Sequence, residues 1–167
     1  MLKVENAENK IGFPNEELVV IISSTLAKGA STRMKALGCS MFPFIMGGDI
    51  ITLSPLSKIP PGKGRVAAFT CDKRKRLTVH RIVKKQGNCY LIKGDNCAGS
   101  DGLVPESNIL GIVTKVERGC RTIRFGLRKE RYIIAFLSRI KFIPSVFILW
   151  KVIPFKLRRI IKCLIHT

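Results

Sequence analysis

Residues 38–51 read Gly-Cys-Ser-Met-Phe-Pro-Phe-Ile-Met-Gly-Gly-Asp-Ile-Ile. Short apolar runs are cut here by glycine and proline, a texture that suits strands and tight turns and does not suit a long helix. The same texture extends outward from Ser31 to Val116. Apolar segments at Thr32–Leu37, Asp49–Leu53, Gly64–Thr70, Leu77–Val83, Cys89–Ile92 and Ile109–Val116 are predicted strands. Met46-Gly-Gly, Pro60-Pro-Gly, Asp72–Arg76, Gln86-Gly-Asn and Gly94–Gly102 separate them. Short strands with such punctuation predict a mainly β, β-rich α+β domain built from antiparallel pairs.

Upstream, Glu16–Lys28 is a predicted helix. Pro14-Asn15 supplies a stop and a cap, Glu16 and Glu17 fill the first turn, and Gly29 follows as a C-cap. Leu18, Ile21, Ile22 and Leu26 fall at helical spacing and are expected to face the core. Downstream of Gly119 the pattern turns helical again at Arg128–Ile140. Phe142–Leu157 is strongly apolar but cut by Pro144 and Pro154, so short amphipathic pieces are expected there.

The chain has 167 residues, 46% apolar and 25% charged, enough for one real core; this excludes disordered and collagen-like classes. Its net charge of +19 is unevenly placed. Residues 118–167 carry 13 Lys and Arg against one acid, Glu130, for a net +12. The expected organisation is therefore a lead-in and helix over 1–30, a β-rich body over 31–117, and a basic, apolar C-terminal segment over 118–167.

Such a segment suits peripheral contact with an anionic membrane surface. No stretch reaches a spanning length of roughly 18 apolar residues. Glu5 and Glu8 stand where a secretory signal needs basic residues. Expected localisation is thus membrane-associated, peripherally or through a C-terminal anchor at Phe142–Ile153, or cytoplasmic, with no secretory signal peptide. The cluster Lys73–Arg76 reads as a solvated turn between strands, and no zinc-finger or helix-turn-helix pattern accompanies it, so no specific nucleic acid is expected. Six cysteines without a C-x-x-C pair, and only two histidines, give no metal-binding spacing and no implied cofactor; reduced thiols are expected.

Three segments hold side chains that do chemistry together. Ser40 is a hydroxyl nucleophile in search of a base, His80 in Thr-Val-His-Arg-Ile is such a base, and Asp95 or Asp101 in residues 93–101 could orient it. Singly, each has a plainer reading as a turn cap, a satisfied core histidine or a hairpin loop. Cys39 beside Ser40 is a rival nucleophile, but it has no evident basic partner and would point away from Ser40 along an extended strand.

In this order the segments resemble the signal peptidase I-like S24/S26 serine peptidases, in the archaeal and endoplasmic-reticulum-type variant where histidine serves as base. Residues 38–51 look like the Ser-Met-x-Pro…Gly-Asp box, Val79–Val83 like the second box, residues 93–101 like the Gly-Asp-Asn…Asp box, and residues 109–116 like the closing strand. The resemblance implies a signal-peptidase/LexA-like β fold with a leading helix and a helical basic tail. It implies a serine endopeptidase in which Ser40 attacks, His80 moves the proton and Asp101, with Asp95 as its rival, assists His80. Met41, Pro43 and Gly38 would shape a cleft for an extended peptide or preprotein substrate. Gly38 stands where many relatives carry a serine. A relative that binds peptide without cutting it, and a charge-driven nucleic-acid module, are the alternatives.

Overall fold

The strand at Thr32–Lys35 alternates half-buried and exposed positions in the two-residue period of a pleated edge, whereas the central extended segments bury consecutive residues on both faces. The computed structural model describes residues 15–71 and 76–139. Helix α1 (Asn15–Ala27) precedes strands β1 (Thr32–Lys35), β2 (Ile50–Pro55), β3 (Val66–Cys71), β4 (Arg76–Gln86), β5 (Cys89–Lys93) and β6 (Gly102–Pro105). A 3-10 turn at Glu106–Asn108 leads into β7 (Ile109–Arg118), followed by β8 (Arg121–Ile123) and helix α2 (Arg131–Arg139).

All pairings are antiparallel, in the order β1-β2-β7-β3-β4-β5-β6, with β8 paired to β7. The fold is thus mainly β, as the short punctuated runs predicted. Central strand β3 is buried on both faces. Val66 and Ala68 join Ile22, Leu26, Ile51, Leu53 and Val116 in one cluster, while Ala67 and Phe69 join Ile82, Tyr90, Ile92 and Ile112 in the other. Burying an aliphatic side chain this completely is worth about 1.5–3 kcal/mol, so the two clusters dominate the folding energy.

Helix α1 forms where the capping signals placed it and ends at Ala27, two residues before Gly29, whose φ of +76° suits a residue without Cβ. One expectation is corrected. Ile22 and Leu26 are buried and Leu18 packs against them, but Ile21 is 57% exposed. The core-facing stripe is the i, i+4, i+8 row alone, and Ile21 lies a quarter-turn outside it.

Strand β7 runs to Arg118, the expected first residue of the C-terminal segment, and α2 packs its Ile134, Ala135 and Ser138 inward. Most of the basic turn before Arg76, and the apolar pieces beyond residue 140, lie outside the described residues.

The chain leaves the sheet between β1 and β2. Ala36 N–H donates to the Asp49 carbonyl at 2.7 Å and Gly48 N–H to the Ala36 carbonyl at 2.9 Å, closing the neck of an excursion over residues 37–48. Asp49 holds that neck to the far end of β7: Arg118 Nε and Nη2 each donate to its carboxylate at 2.9 Å, and Met46 N–H donates at 2.8 Å. Burial would raise the Asp49 carboxyl, but the Arg118 bonds and the Met46 N–H outweigh it and hold the group below the usual carboxylate range. Such a group stabilises the fold fully above the unfolded carboxylate's titration near pH 4, and that contribution is lost as pH falls through the lower folded value. Asp49→Asn should cost roughly 1–3 kcal/mol at neutral pH. Thermal melts from pH 7 to about pH 2 should show the wild-type advantage shrinking once pH falls below about 4, the two curves converging only below the lower folded value.

Candidate functional site

The excursion between β1 and β2 is a compact turn rather than extended chain. Phe42 N–H donates to the Cys39 carbonyl at 3.1 Å, and the N–H groups of Phe44 and Ile45 both donate to the Met41 carbonyl at 3.0 Å. Met41 and Ile45, each 4% exposed, anchor the turn in the core. The Phe42–Pro43 peptide is cis. Ser40 is thereby left half-buried at the surface of a cavity of about 540 Å3. Cys39 is exposed beside it on the turn, which corrects the extended geometry expected for the pair.

His80 reaches the same cavity from the middle of β4, paired across the sheet with Ala67. Its side chain is 10% exposed, and Nδ1 lies 2.7 Å from Asp101 Oδ2. Asp101 is itself placed by its N–H, which donates to the Ile92 carbonyl at 2.9 Å at the start of the β5–β6 pairing. That contact leaves Nε2 as the ring nitrogen available to a substrate or nucleophile. Among the described residues the Ser40 hydroxyl makes no hydrogen bond to His80; the two meet across the cavity. Met34, Met41, Leu77 and Val79 supply apolar walls.

The rival aspartate is engaged elsewhere. Asp95 is fully buried and receives three charged hydrogen bonds from Arg81: Nε to Oδ1 at 2.9 Å, Nε to Oδ2 at 3.0 Å, and Nη2 to Oδ2 at 2.8 Å. Ser138 Oγ donates to Oδ1 at 2.8 Å, and Arg81 Nη1 donates to the carbonyls of Gly64 and Gly126, both at 2.8 Å. Successive side chains of β4 point to opposite faces, so His80 takes one aspartate of the loop and Arg81 the other.

The loop between those aspartates also grips the nucleophile turn. Asn96 N–H donates to the Ser40 carbonyl at 2.8 Å, and Asn96 Nδ2 donates to the Cys39 carbonyl at 3.2 Å. Gly94 permits this closeness. A Cβ there would stand 2.9 Å from the Ser40 carbonyl oxygen and 3.0 Å from His80 Nε2, contacts that a real side chain could not hold. The Cys97 thiol sits at the same point, and burial pushes it above its ordinary value, with the Asp101 charge adding to the effect. A thiol so disposed is a poor nucleophile.

Of the residues expected to shape the cleft, Gly38 and Met41 line the cavity, whereas Pro43 is exposed and does not. Among the described residues no group of His, Cys, Asp and Glu side chains could hold a metal ion. Sequence reading passed over Arg81, Gly94 and Asn96. The signal for Arg81 was present: a cation flanked by valine, isoleucine and histidine in a central strand requires a buried anion.

The family model described as Peptidase S24-like matches residues 3–116, which include the turn, β4 and the aspartate loop. No curated protein matches the chain.

Breaking the Arg81–Asp95 pair should be expensive. Arg81→Met leaves Asp95 as an uncompensated buried charge and should cost roughly 3–5 kcal/mol in urea unfolding. Adding Asp95→Leu should recover much of that loss, because it removes the stranded charge. No recovery would mean that the pair's role lies in its carbonyl contacts instead.

Proposed function

The chain belongs to the Peptidase S24-like family, and on that premise we propose that it is a serine endopeptidase using Ser40 and His80 on extended peptide substrates. The observation that carries the reading is the His80–Asp101 contact of 2.7 Å at the cavity lined by Ser40. In the proposed cycle His80 Nε2 takes the proton of Ser40 Oγ as the oxygen attacks the scissile carbonyl. The tetrahedral oxyanion receives the Ser40 N–H, and the imidazolium then gives its proton to the leaving amine. Water, activated by the same ring, hydrolyses the acyl-enzyme and restores the serine. Asp101 keeps the Nδ1 proton and favours the imidazolium during both transfers.

Edge strand β1 runs into the cavity, where Met34, Lys35 and Ala36 form part of the wall. An extended peptide could pair with such an edge and present one carbonyl to Ser40. The resemblance to signal peptidases makes an Ala-x-Ala preprotein site the substrate to try first. A peptide-binding relative that does not cut is the second reading, favoured by the Ser40 hydroxyl's lack of a bond to His80. Catalytic hydrogen bonds commonly tighten only with substrate in place.

The test is cleavage of an Ala-x-Ala preprotein in detergent micelles, together with labelling by a serine-directed phosphonate. Ser40→Ala and His80→Ala should each abolish cleavage, and Asp101→Asn should lower kcat by ~10²-fold or more. Full activity in His80→Ala would overturn the proposed base. Binding without cleavage or labelling in wild type would establish the second reading.

A further inference from the structure

Helix α2 has two apolar sides where one is enough. Ile134, Ala135 and Ser138 face the body, while Tyr132, Ile133 and Phe136 on the opposite side are 48%, 64% and 56% exposed. Just ahead of the helix Phe125 is 64% exposed, its ring 5.6 Å from Phe44. Large apolar side chains clustered at i, i+1 and i+4 on a solvent-facing helix mark a contact surface.

The surrounding charge has one sign. Arg121, Arg124, Arg128 and Lys129 are exposed. Glu130, the single acid from residue 118 onward, is half-buried, its Oε1 accepting the N–H groups of Gly126 at 2.8 Å and Arg128 at 3.2 Å. The outer surface of this region therefore offers mostly cations and aromatics, its one acid Glu130 being engaged by backbone N–H groups. Residues 128–132 also line a shallow cleft.

We propose that the outer face of α2, with Phe125 and the flanking arginines, docks on the surface of an anionic bilayer. The apolar side chains enter the headgroup boundary while the guanidinium groups meet lipid phosphates. A second copy of the chain would oppose one cationic face with another. Nucleic acid would satisfy the charge but offer nothing to Ile133 and Phe136. Among the described residues no helix is long and apolar enough to cross a membrane, so the contact is interfacial.

The experiment is sedimentation of the full chain with vesicles of phosphatidylcholine alone and of phosphatidylcholine with phosphatidylglycerol, roughly 3:1. Binding should require the anionic lipid and weaken at high salt. Ile133→Glu with Phe136→Glu should weaken it about tenfold or more. Both positions are exposed, so the variant's melting curve should match wild type and show that the loss is not unfolding. Three outcomes overturn the proposal: no sedimentation with either vesicle, equal binding by wild type and the double variant, or concentration-dependent dimerisation that the variant abolishes without vesicle binding.

Discussion

Arg81 and Asp95 meet with both side chains withdrawn completely from solvent, and through them five parts of the chain are joined: β4, the aspartate loop, the turn before β3, the loop after β8 and the end of α2. Desolvating two charges is costly, and such a pair contributes little net stability compared with well-packed apolar residues. Its effect is on geometry. Every polar atom of the guanidinium and carboxylate has a directed partner, so the approach of α2 and of residues 94–101 to the sheet is fixed in angle as well as distance. Lys93, also buried, adds a bond from Nζ to the Ser138 carbonyl.

The alternation of β4 turns this constraint into a site. His80 and Arg81 are neighbours in sequence and belong to separate environments, one bordering a cavity and the other in the interior. A single loop serves both, sending Asp101 to the histidine and Asp95 to the arginine. The two carboxylates keep these roles because Asp95 has no free acceptor direction left toward the ring.

Much of this was legible before any coordinates. Six strands and α1 show as periodic or punctuated apolar runs, and Ser40, His80 and one of Asp95 or Asp101 show as a chemically coherent set. What was not legible has physical reasons. β6 buries only Val104, and β8 buries nothing, so neither leaves a hydrophobic pattern. β4 continues past Val83 through Lys84, Lys85 and Gln86, which are exposed and held only by their pairing with β5. The choice between Asp95 and Asp101 depended on which face of β4 each would meet, and spacing carries no information on that. Pro43 was expected in the cleft from the resemblance of residues 38–51 to the peptidase box, yet the turn buries Met41 against the cavity and leaves Pro43 exposed.

The Asn96 bonds to the carbonyls of Cys39 and Ser40 have a dynamic consequence. The serine and the carboxylate that contacts His80 hang from one loop, and that loop is pinned at Asp95. Movement of residues 94–101 is therefore felt at the serine turn through these bonds, while Met41, Ile45 and Asp49 hold the rest of that turn to the sheet. The bonds thus couple chain segments more than fifty residues apart. Amides on the two sides should share part of their protection against solvent exchange.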